Sequence, residues 1–167
     1  MKNLTWKVIA YIVSRPIVYI WLVDRAMRTP YLHLEGYMKR WWLFNAYTAD
    51  HYRWWSWLPS IRIHHILRAD LDWHHHDHPW NARTIIFQGA YAEERLFFFG
   101  DTASPLAARY TRFSGDTATL KYGEYHRITN VSDEGVWTLF ITWKYQGTWG
   151  YLVDGVKVPW RDYHAKP

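Results

Sequence analysis

The chain has 167 residues, a formal net charge of +5 and no cysteine. This length fits one compact domain with a full hydrophobic core. The absence of cysteine excludes disulfides, thiolate metal sites and cysteine nucleophiles, so a metal site would have to use His, Asp, Glu or water. The 20 Lys and Arg residues are spread along the chain, without the dense basic block that marks a nucleic-acid site, so we expect no nucleic-acid partner.

Two helices are predicted near the N-terminus, at about residues 4–13 and 15–28. Ser14 is the expected N-cap of the second helix, and Pro16 fits its first turn, where the missing N–H does no harm. The second helix should end at Thr29-Pro30, because the residue before a proline is disfavoured in helical geometry. We expect these helices to pack on the main domain as an arm, with peripheral contact to a membrane surface as the alternative.

The apolar stretch at residues 8–23 resembles a membrane segment, but Arg15-Pro16 interrupts it. A spanning helix needs about 20 predominantly apolar residues, so no membrane span is predicted. No small-residue cleavage site follows the short apolar run, and a signal peptide is therefore not expected. These observations predict a mature chain that starts at Met1 and stays in the cytoplasm.

Residues 31–60 contain two similar tryptophan-rich pieces, "KRWWLF" and "YRWWSW". Aromatic side chains at this density either bury area in a core or interface, or form an exposed platform that stacks on sugars or bases. The pieces contain Trp41, Trp42, Trp54, Trp55 and Trp57, flanked by Arg40 and Arg53. With the helices they form a predicted N-terminal arm, residues 1–59.

From residue 60 onward the pattern changes to short β-rich runs separated by turn residues, which predicts a β-barrel domain over residues 60–167. Candidate strands are 61–68, 74–78, 83–88, 90–99, 107–113, 117–122, 125–131, 136–144, 148–153 and 156–158. Asp154-Gly155 predicts a two-residue hairpin turn, and "SDEG" at 132–135 separates two apolar strands. Nothing helical is expected to cover this half, so the sheets should close or face each other.

Four histidines occur within five positions of the segment "DLDWHHHDHPW". In an extended strand alternate side chains share a face, so His74, His76 and His78 would point one way and His75 and Asp77 the other. Two inward histidines separated by one residue form a ready bidentate metal site. A third ligand must come from elsewhere, and His126 on a later strand is the candidate.

The spacing around these histidines resembles the two sequence motifs of the cupin superfamily. His76, His78 and Gly89 match the two histidines and the glycine of the first motif. Residues 115–130 resemble the second motif, Gly-x5-Pro-x-Gly-x2-His-x3-Asn, in which Lys121 replaces the proline. The matching positions of the second motif are Gly115, Gly123, His126 and Asn130.

The wider chain, including "HDHPW" and "VPWRDY", is also similar to small cupin-like proteins of bacteriophages and their hosts, for which no activity is carried over. The resemblance implies a mainly β fold, a cupin-type double-stranded β-helix (jelly roll), here with an N-terminal helical arm. It also implies a metal site formed by His76, His78 and His126.

The glutamate of the first motif would fall at Ala82 or Arg83, and neither can replace it as a ligand. The resemblance then leaves a three-histidine site, with His74, Asp77 or water as a fourth ligand. A different triad stays open: His75 and Asp77 with His126 would give two histidines and one carboxylate, the set of non-haem iron oxygenases.

We therefore expect a metal-dependent cupin enzyme that acts on a small organic substrate, with oxygenase chemistry ahead of isomerase or lyase chemistry. Fe(II) is the first choice of metal, with Mn, Ni and Zn as alternatives. Arg83 either anchors an anionic group or faces solvent, and Tyr91 and Tyr125 are candidate proton donors. Either His64 or His65 should face inward, to orient a ligand or to pack in the core.

The alternative function is a non-catalytic jelly-roll module of phage origin that binds a sugar or a protein partner. A homodimer is the plausible assembly for either function, because apolar strand edges and abundant tryptophan favour association.

Overall fold

A computed structural model describes residues 2–47, 55, 57–99 and 105–165. Three helices and ten strands follow in chain order: α1 (Lys2–Val13), α2 (Pro16–Met27), β1 (Met38–Phe44), β2 (Ser60–Ile66), β3 (Trp80–Gln88), β4 (Ala90–Phe97), β5 (Leu106–Phe113), β6 (Thr117–Leu120), β7 (His126–Val131), β8 (Val136–Tyr145), β9 (Gly150–Val153), β10 (Val156–Pro159) and α3 (Trp160–His164).

The strands form antiparallel sheets that face each other. One sheet has the order β1-β2-β8-β3-β6, a second has the order β5-β4-β7, and β9 pairs with β10. Side chains from the first two sheets meet in an apolar cluster, since alternate residues of each strand point to the space between the sheets. The cluster consists of Ile66, Ile86, Tyr91, Ile128 and Val136.

The outer face of the five-stranded sheet is covered by α1 and α2. Ala10 of α1 and Ala26 of α2 are fully buried against it, and such small side chains let the helix backbones approach closely. The cluster under the helices contains Trp41, Ile63, Ile85, Phe87, Leu139 and Ile141. Both faces of this sheet are therefore buried, one by the helices and the other by the second sheet.

Both N-terminal helices form close to their predicted bounds, but the predicted cap is wrong. Ser14 donates its hydroxyl to the carbonyl of Tyr11 and so completes the last turn of α1. Arg15 is the N-cap residue of α2, without a side-chain cap, and Pro16 occupies the first turn as expected. No described helix is by itself long and apolar enough to cross a bilayer; α1 and α2 reach that length only as a pair bent by 81°.

Strand β1 was not predicted from the sequence. It pairs with β2 from Met38↔Ile66 onward, and Trp41 and Trp42 are both buried in it, on opposite faces. A strand that is covered on both sides lacks the apolar-polar alternation by which strands are recognised. Trp55 and Trp57 are exposed, whereas Arg53 and Trp54 lie outside the described residues.

The predicted strand at residues 74–78 is also wrong. Only His76 pairs there, in isolated bridges to His126 and to Tyr151. Pro79, which has no N–H to donate, ends the pairing before β3 begins. The segment still keeps the alternation of an extended chain and inserts between β7 and β9. The predicted turn at Asp154-Gly155 is confirmed, with both residues at positive φ between β9 and β10.

Candidate metal centre

Three imidazole rings from two distant parts of the chain meet inside the molecule. His76 and His78 come from the segment before β3, and His126 begins β7. One nitrogen from each ring lies within 4.8 Å of the others. Nε2 of His78 is 3.0 Å from Nε2 of His126, so these two rings direct the same nitrogen to one point.

The backbone fixes this convergence. The N–H of His76 donates to the carbonyl of His126, and the N–H of His126 donates to the carbonyl of His76, both at 2.9 Å. These two reciprocal hydrogen bonds hold the Cα atoms of His76 and His126 side by side. His78, two residues further along an extended chain, points to the same side as His76. The two-residue spacing of His76 and His78, together with the β-bridge between His76 and His126, therefore brings all three rings together.

Burial keeps two of the rings neutral. The pKa of His76 is lowered to about 3, first by burial and then by the nearby His126. The pKa of His78 is lowered well below its ordinary value by burial and by the other two histidines. A neutral imidazole offers a lone pair, which is the form that binds a metal ion.

Two carboxylates lie behind the rings. Glu93 on β4 has an oxygen 3.4 Å from Nδ1 of His126, and Asp70 has one 3.9 Å from Nδ1 of His76. A carboxylate behind an imidazole fixes the orientation of the ring and raises its basicity toward a metal. Neither residue was predicted from the sequence, because neither belongs to a motif. The one available signal was the alternation of β4, which turns Glu93 inward.

Glu93 itself is held as a carboxylate. It is 1% exposed and pairs with Arg95 and Arg112. Burial alone would raise its pKa, but the close contact with the His126 ring and the charges of the two arginines outweigh burial and lower the pKa to about 2. At neutral pH Glu93 therefore places a negative charge beside His126.

The donor set fits a divalent transition metal. Two nitrogens bound to one ion at about 2.1 Å and at a right angle lie about 3.0 Å apart, which matches the separation of the two Nε2 atoms. Imidazole nitrogen suits Fe, Ni, Cu and Zn.

No protein-family model and no curated protein matches the sequence. Solved structures do resemble the fold. A tryptophan-to-tyrosine variant of oxalate decarboxylase from Bacillus subtilis has a TM-score of 0.56 at 12% identity over 85% of this chain and 33% of its own. A structure of the same enzyme determined for its Mn(II) centres has a TM-score of 0.52 at 16% identity over 78% of this chain and 31% of its own.

Vicilin from hazelnut, Corylus avellana, has a TM-score of 0.52 at 9% identity, over 68% of this chain and 30% of its own. The chain thus spans about a third of the length of each of these structures. The chain has a cupin fold. At such low identity the likeness establishes the cupin fold and not the activity.

The other histidines and the acid of the HHHDH segment have different partners in this cupin fold. Nδ1 of His74 is 2.9 Å from the hydroxyl of Tyr163, and Nε2 of His75 is 2.9 Å from a carboxylate oxygen of Glu94. Asp77 is 1% exposed and accepts hydrogen bonds from Gly150 N and Lys157. The alternative triad of His75, Asp77 and His126 is therefore not assembled, and neither His74 nor Asp77 reaches the cluster as a fourth ligand.

The structure does not bring Arg83 to the histidines. Arg83 shares the outer face of β3 with Ile85 and Phe87, and its guanidinium lies 4.6 Å from the centre of the Trp6 ring on α1. Its Nη1 donates to Thr117 Oγ1 at 3.0 Å. The sequence left the direction of Arg83 open, because apolar residues occupy both faces of β3 and alternation cannot tell inside from outside.

The two predicted proton donors also lie away from the three rings. Tyr91 packs in the apolar cluster between the sheets, where burial raises its pKa. Tyr125 precedes His126 on the opposite face of the chain; its ring contacts Phe98, and burial together with Asp77 raises its pKa to about 12. Neither contact supports a role in proton transfer at the cluster.

His64 is the inward member of its pair, as one of the two was expected to be. It is 7% exposed and stacks on Phe140, while His65 stacks on Trp137 on the other face of β2. Burial, then the charges of Arg62 and Arg40, lower the pKa of His64 well below its ordinary value. His64 therefore packs as a neutral core residue, stacked on an aromatic ring.

Proposed function

We propose that His76, His78 and His126 bind one divalent cation, with Fe(II) as the first choice, and that the protein is a metal-dependent enzyme of the oxygenase type. The observation that carries this proposal is the convergence of three imidazole nitrogens from two distant segments within 4.8 Å. A carboxylate behind His126 and the low pKa values of His76 and His78 support it.

Three neutral ligands favour a catalytic role over a structural one. A structural site is normally closed by four protein ligands, whereas a catalytic site keeps a position for water or substrate. No fourth His, Asp or Glu joins the cluster among the described residues. When bound, the cation would supply Lewis-acid or redox chemistry, and the absence of an anionic ligand leaves its positive charge available to an anionic substrate.

The guanidinium of Arg62 is buried on the same face of the five-stranded sheet as the three histidines. Arg62 is 5% exposed, and its guanidinium lies 5.3 Å from the ring of Trp80 and 5.4 Å from the ring of Phe140. The rings of Trp80 and Phe140 lie 5.1 Å and 6.2 Å from the ring of His78. In the proposed function Arg62, in place of Arg83, orients the carboxylate of a small organic acid whose other end faces the histidines.

The choice of metal follows from the imidazole ligands and from the fold. The structure of the Bacillus subtilis enzyme with Mn(II) centres has the same fold, so Mn(II) stands beside Fe(II), with Ni and Zn behind. Isomerase or lyase chemistry is compatible with the same ligand set. The proposal is therefore specific about the three ligands and about an anionic organic substrate.

Elemental analysis of the purified protein tests the ligand set. We expect near-stoichiometric iron or manganese in the wild type and less than about a tenth of that in His78→Ala, because two imidazoles bind a divalent ion far more weakly than three. His33→Gln, an exposed histidine on another part of the chain, is the matched control and should keep the metal. Equal metal content in His78→Ala and His33→Gln would reject the site.

The open position has its own test, which separates the enzyme from a non-catalytic module. Co(II) can be loaded in place of the native metal, and its visible spectrum can be followed while azide is added. A catalytic site with a free position predicts a spectral change, and the same change should be absent from His78→Ala. A spectrum that azide does not alter, with thermal stability unchanged in chelator, would favour a jelly-roll module that binds a sugar or a protein.

A further inference from the structure

A recess lies away from the three histidines, at the free edge of the five-stranded sheet. It opens beside β6, where α1 and the strands of the second sheet come together, and it has a volume of about 410 Å³. Its lining includes Asn3 and Lys7 from α1, Arg83 from β3, Arg95 from β4 and Arg112 from β5. Cavities of a few hundred Å³ match small-molecule ligands.

The charged side chains that line the recess are positive. Among the described residues, four cationic side chains line it, and no Asp or Glu does. Glu93, beneath the recess, pairs with Arg95 and Arg112, and Glu124 lies 3.7 Å from Arg95. Arg83 and Lys7 form no ion pair within the described ranges. Two of the four cations therefore lack a negative partner there.

The arginines of the recess are built into the structure. Arg83 is 8% exposed and is held by the ring of Trp6 and the hydroxyl of Thr117, and burial lowers its pKa. Arg95 donates to the carbonyl of Thr119 at 2.6 Å, which ties β4 to the edge of β6. A preorganised guanidinium loses little freedom on binding and can donate two parallel hydrogen bonds to a phosphate.

We propose that this recess is an anion-binding site for a phosphorylated small molecule, formed by Lys7, Arg83, Arg95 and Arg112. The site is separate from the three histidines and does not depend on the metal. A phosphoryl group carries up to two negative charges, which match the two cations that lack a negative partner, and its oxygens can accept from several guanidinium nitrogens at once. A single carboxylate would neutralise less of the recess.

The phosphoryl group can come from a soluble molecule or from a lipid headgroup. α1 contributes Asn3 and Lys7 to the recess and at the same time exposes Leu4, Val8 and Tyr11 at 68%, 51% and 61%. A helix with exposed apolar side chains and flanking cations can lie at a membrane surface. Both the soluble molecule and the lipid headgroup would present a phosphate group to the same guanidinium groups.

Calorimetric titration of the full chain with pyrophosphate at low ionic strength tests the site. We expect binding in the wild type, at least about tenfold weaker binding in Arg112→Gln, and weaker binding in Lys7→Gln, because each change removes a charged donor. Arg109→Gln is the matched control, since Arg109 is exposed on the opposite face of the same strand. Lys7 is exposed and forms no ion pair with any carboxylate of the described residues, so its replacement keeps the test independent of folding.

Two further measurements separate the recess from the metal centre and the lipid source from the soluble one. His78→Ala should bind pyrophosphate as the wild type does, which separates this site from the proposed metal centre. Vesicles with phosphatidic acid, compared with phosphatidylcholine vesicles, test the lipid source; binding that Arg112→Gln abolishes would place a lipid phosphate in the recess. The proposal is rejected if neither probe binds, or if Arg112→Gln and Lys7→Gln bind both probes as tightly as Arg109→Gln.

Discussion

The carboxylate of Glu93 lies 3.4 Å from Nδ1 of His126, on the side of the ring away from the other two histidines. Nε2 of the same ring is directed at His78, 3.0 Å away. One ring thus connects a buried negative charge with the point where the three imidazoles meet. Glu93 does not join the cluster of ring nitrogens; in the proposed site its carboxylate would orient the ring of His126.

Replacing Glu93 with Gln should weaken metal binding without removing it. Loss of a carboxylate partner behind a ligand imidazole typically costs 10–100-fold in metal affinity. Competition with a coloured chelator measures the change, and circular dichroism checks that the variant is folded. Glu134→Gln, an exposed acid in the turn between β7 and β8, should bind metal as the wild type does. Equal affinity in the two variants would contradict the orienting role of Glu93.

Metal binding should raise the thermal stability of the protein. A ligand that binds only the folded state contributes about 2.7 kcal/mol when present at 100 times its Kd, which raises Tm by roughly 5–10 °C for a chain of this size. Differential scanning calorimetry with Mn(II) or with a chelator measures the shift. It should vanish in His78→Ala and persist in His33→Gln. A metal-induced shift of the same size in His78→Ala would place the bound metal elsewhere.

Gly89, the glycine of the first motif, should resist replacement. Its φ is +82°, and a Cβ there would overlap the carbonyl oxygen of Gly135. Gly155 has a similar φ of +77° with nothing within 4 Å of a Cβ. Ala at Gly155 should cost only the strain of the left-handed backbone, about 1–2 kcal/mol, and Ala at Gly89 should cost about 1–3 kcal/mol more through the overlap. Urea denaturation compares them; equal losses would show that Gly135 can move aside.

His64 should make the protein less stable in mild acid. Its folded pKa is lowered well below 6.5, so below pH 6.5 the unfolded chain binds a proton that the folded protein does not. The free energy of unfolding therefore falls as the pH drops below about 6.5, by up to about 1.4 kcal/mol per pH unit for this one group. Urea denaturation at pH 7 and pH 5 should show a smaller fall for His64→Gln than for the wild type. An identical fall in both would mean that His64 takes up its proton in the folded state.

The sequence predicts the three-histidine cluster well, for a physical reason. Alternation along an extended chain places His76 and His78 on one face, and the spacing of the second motif brings His126 to them. Both are local regularities that survive even though the predicted strand at 74–78 shrinks to a single bridge. Side-chain direction depends on the extended backbone, and not on a full ladder of hydrogen bonds.

The sequence predicts less well where a residue's role depends on which face is inside. Arg83 precedes a run with apolar side chains on both faces, and its direction is fixed by tertiary contacts with Trp6 and Thr117 on the outer face. β1 was not predicted for the same reason: both of its faces are covered, so its sequence lacks the alternation of apolar and polar residues. Glu93 carries no motif, and its contact with His126 depends on the pairing of β4 with β7, across a register shift between Ala92 and Glu93.

The most direct test of the account is a crystal structure of the metal-loaded protein, with anomalous scattering measured on both sides of the metal absorption edge. The account predicts one anomalous peak about 2.0–2.2 Å from a ring nitrogen of each of His76, His78 and His126. A fully loaded crystal whose anomalous peak lies away from these three rings, or touches only one of them, would contradict it.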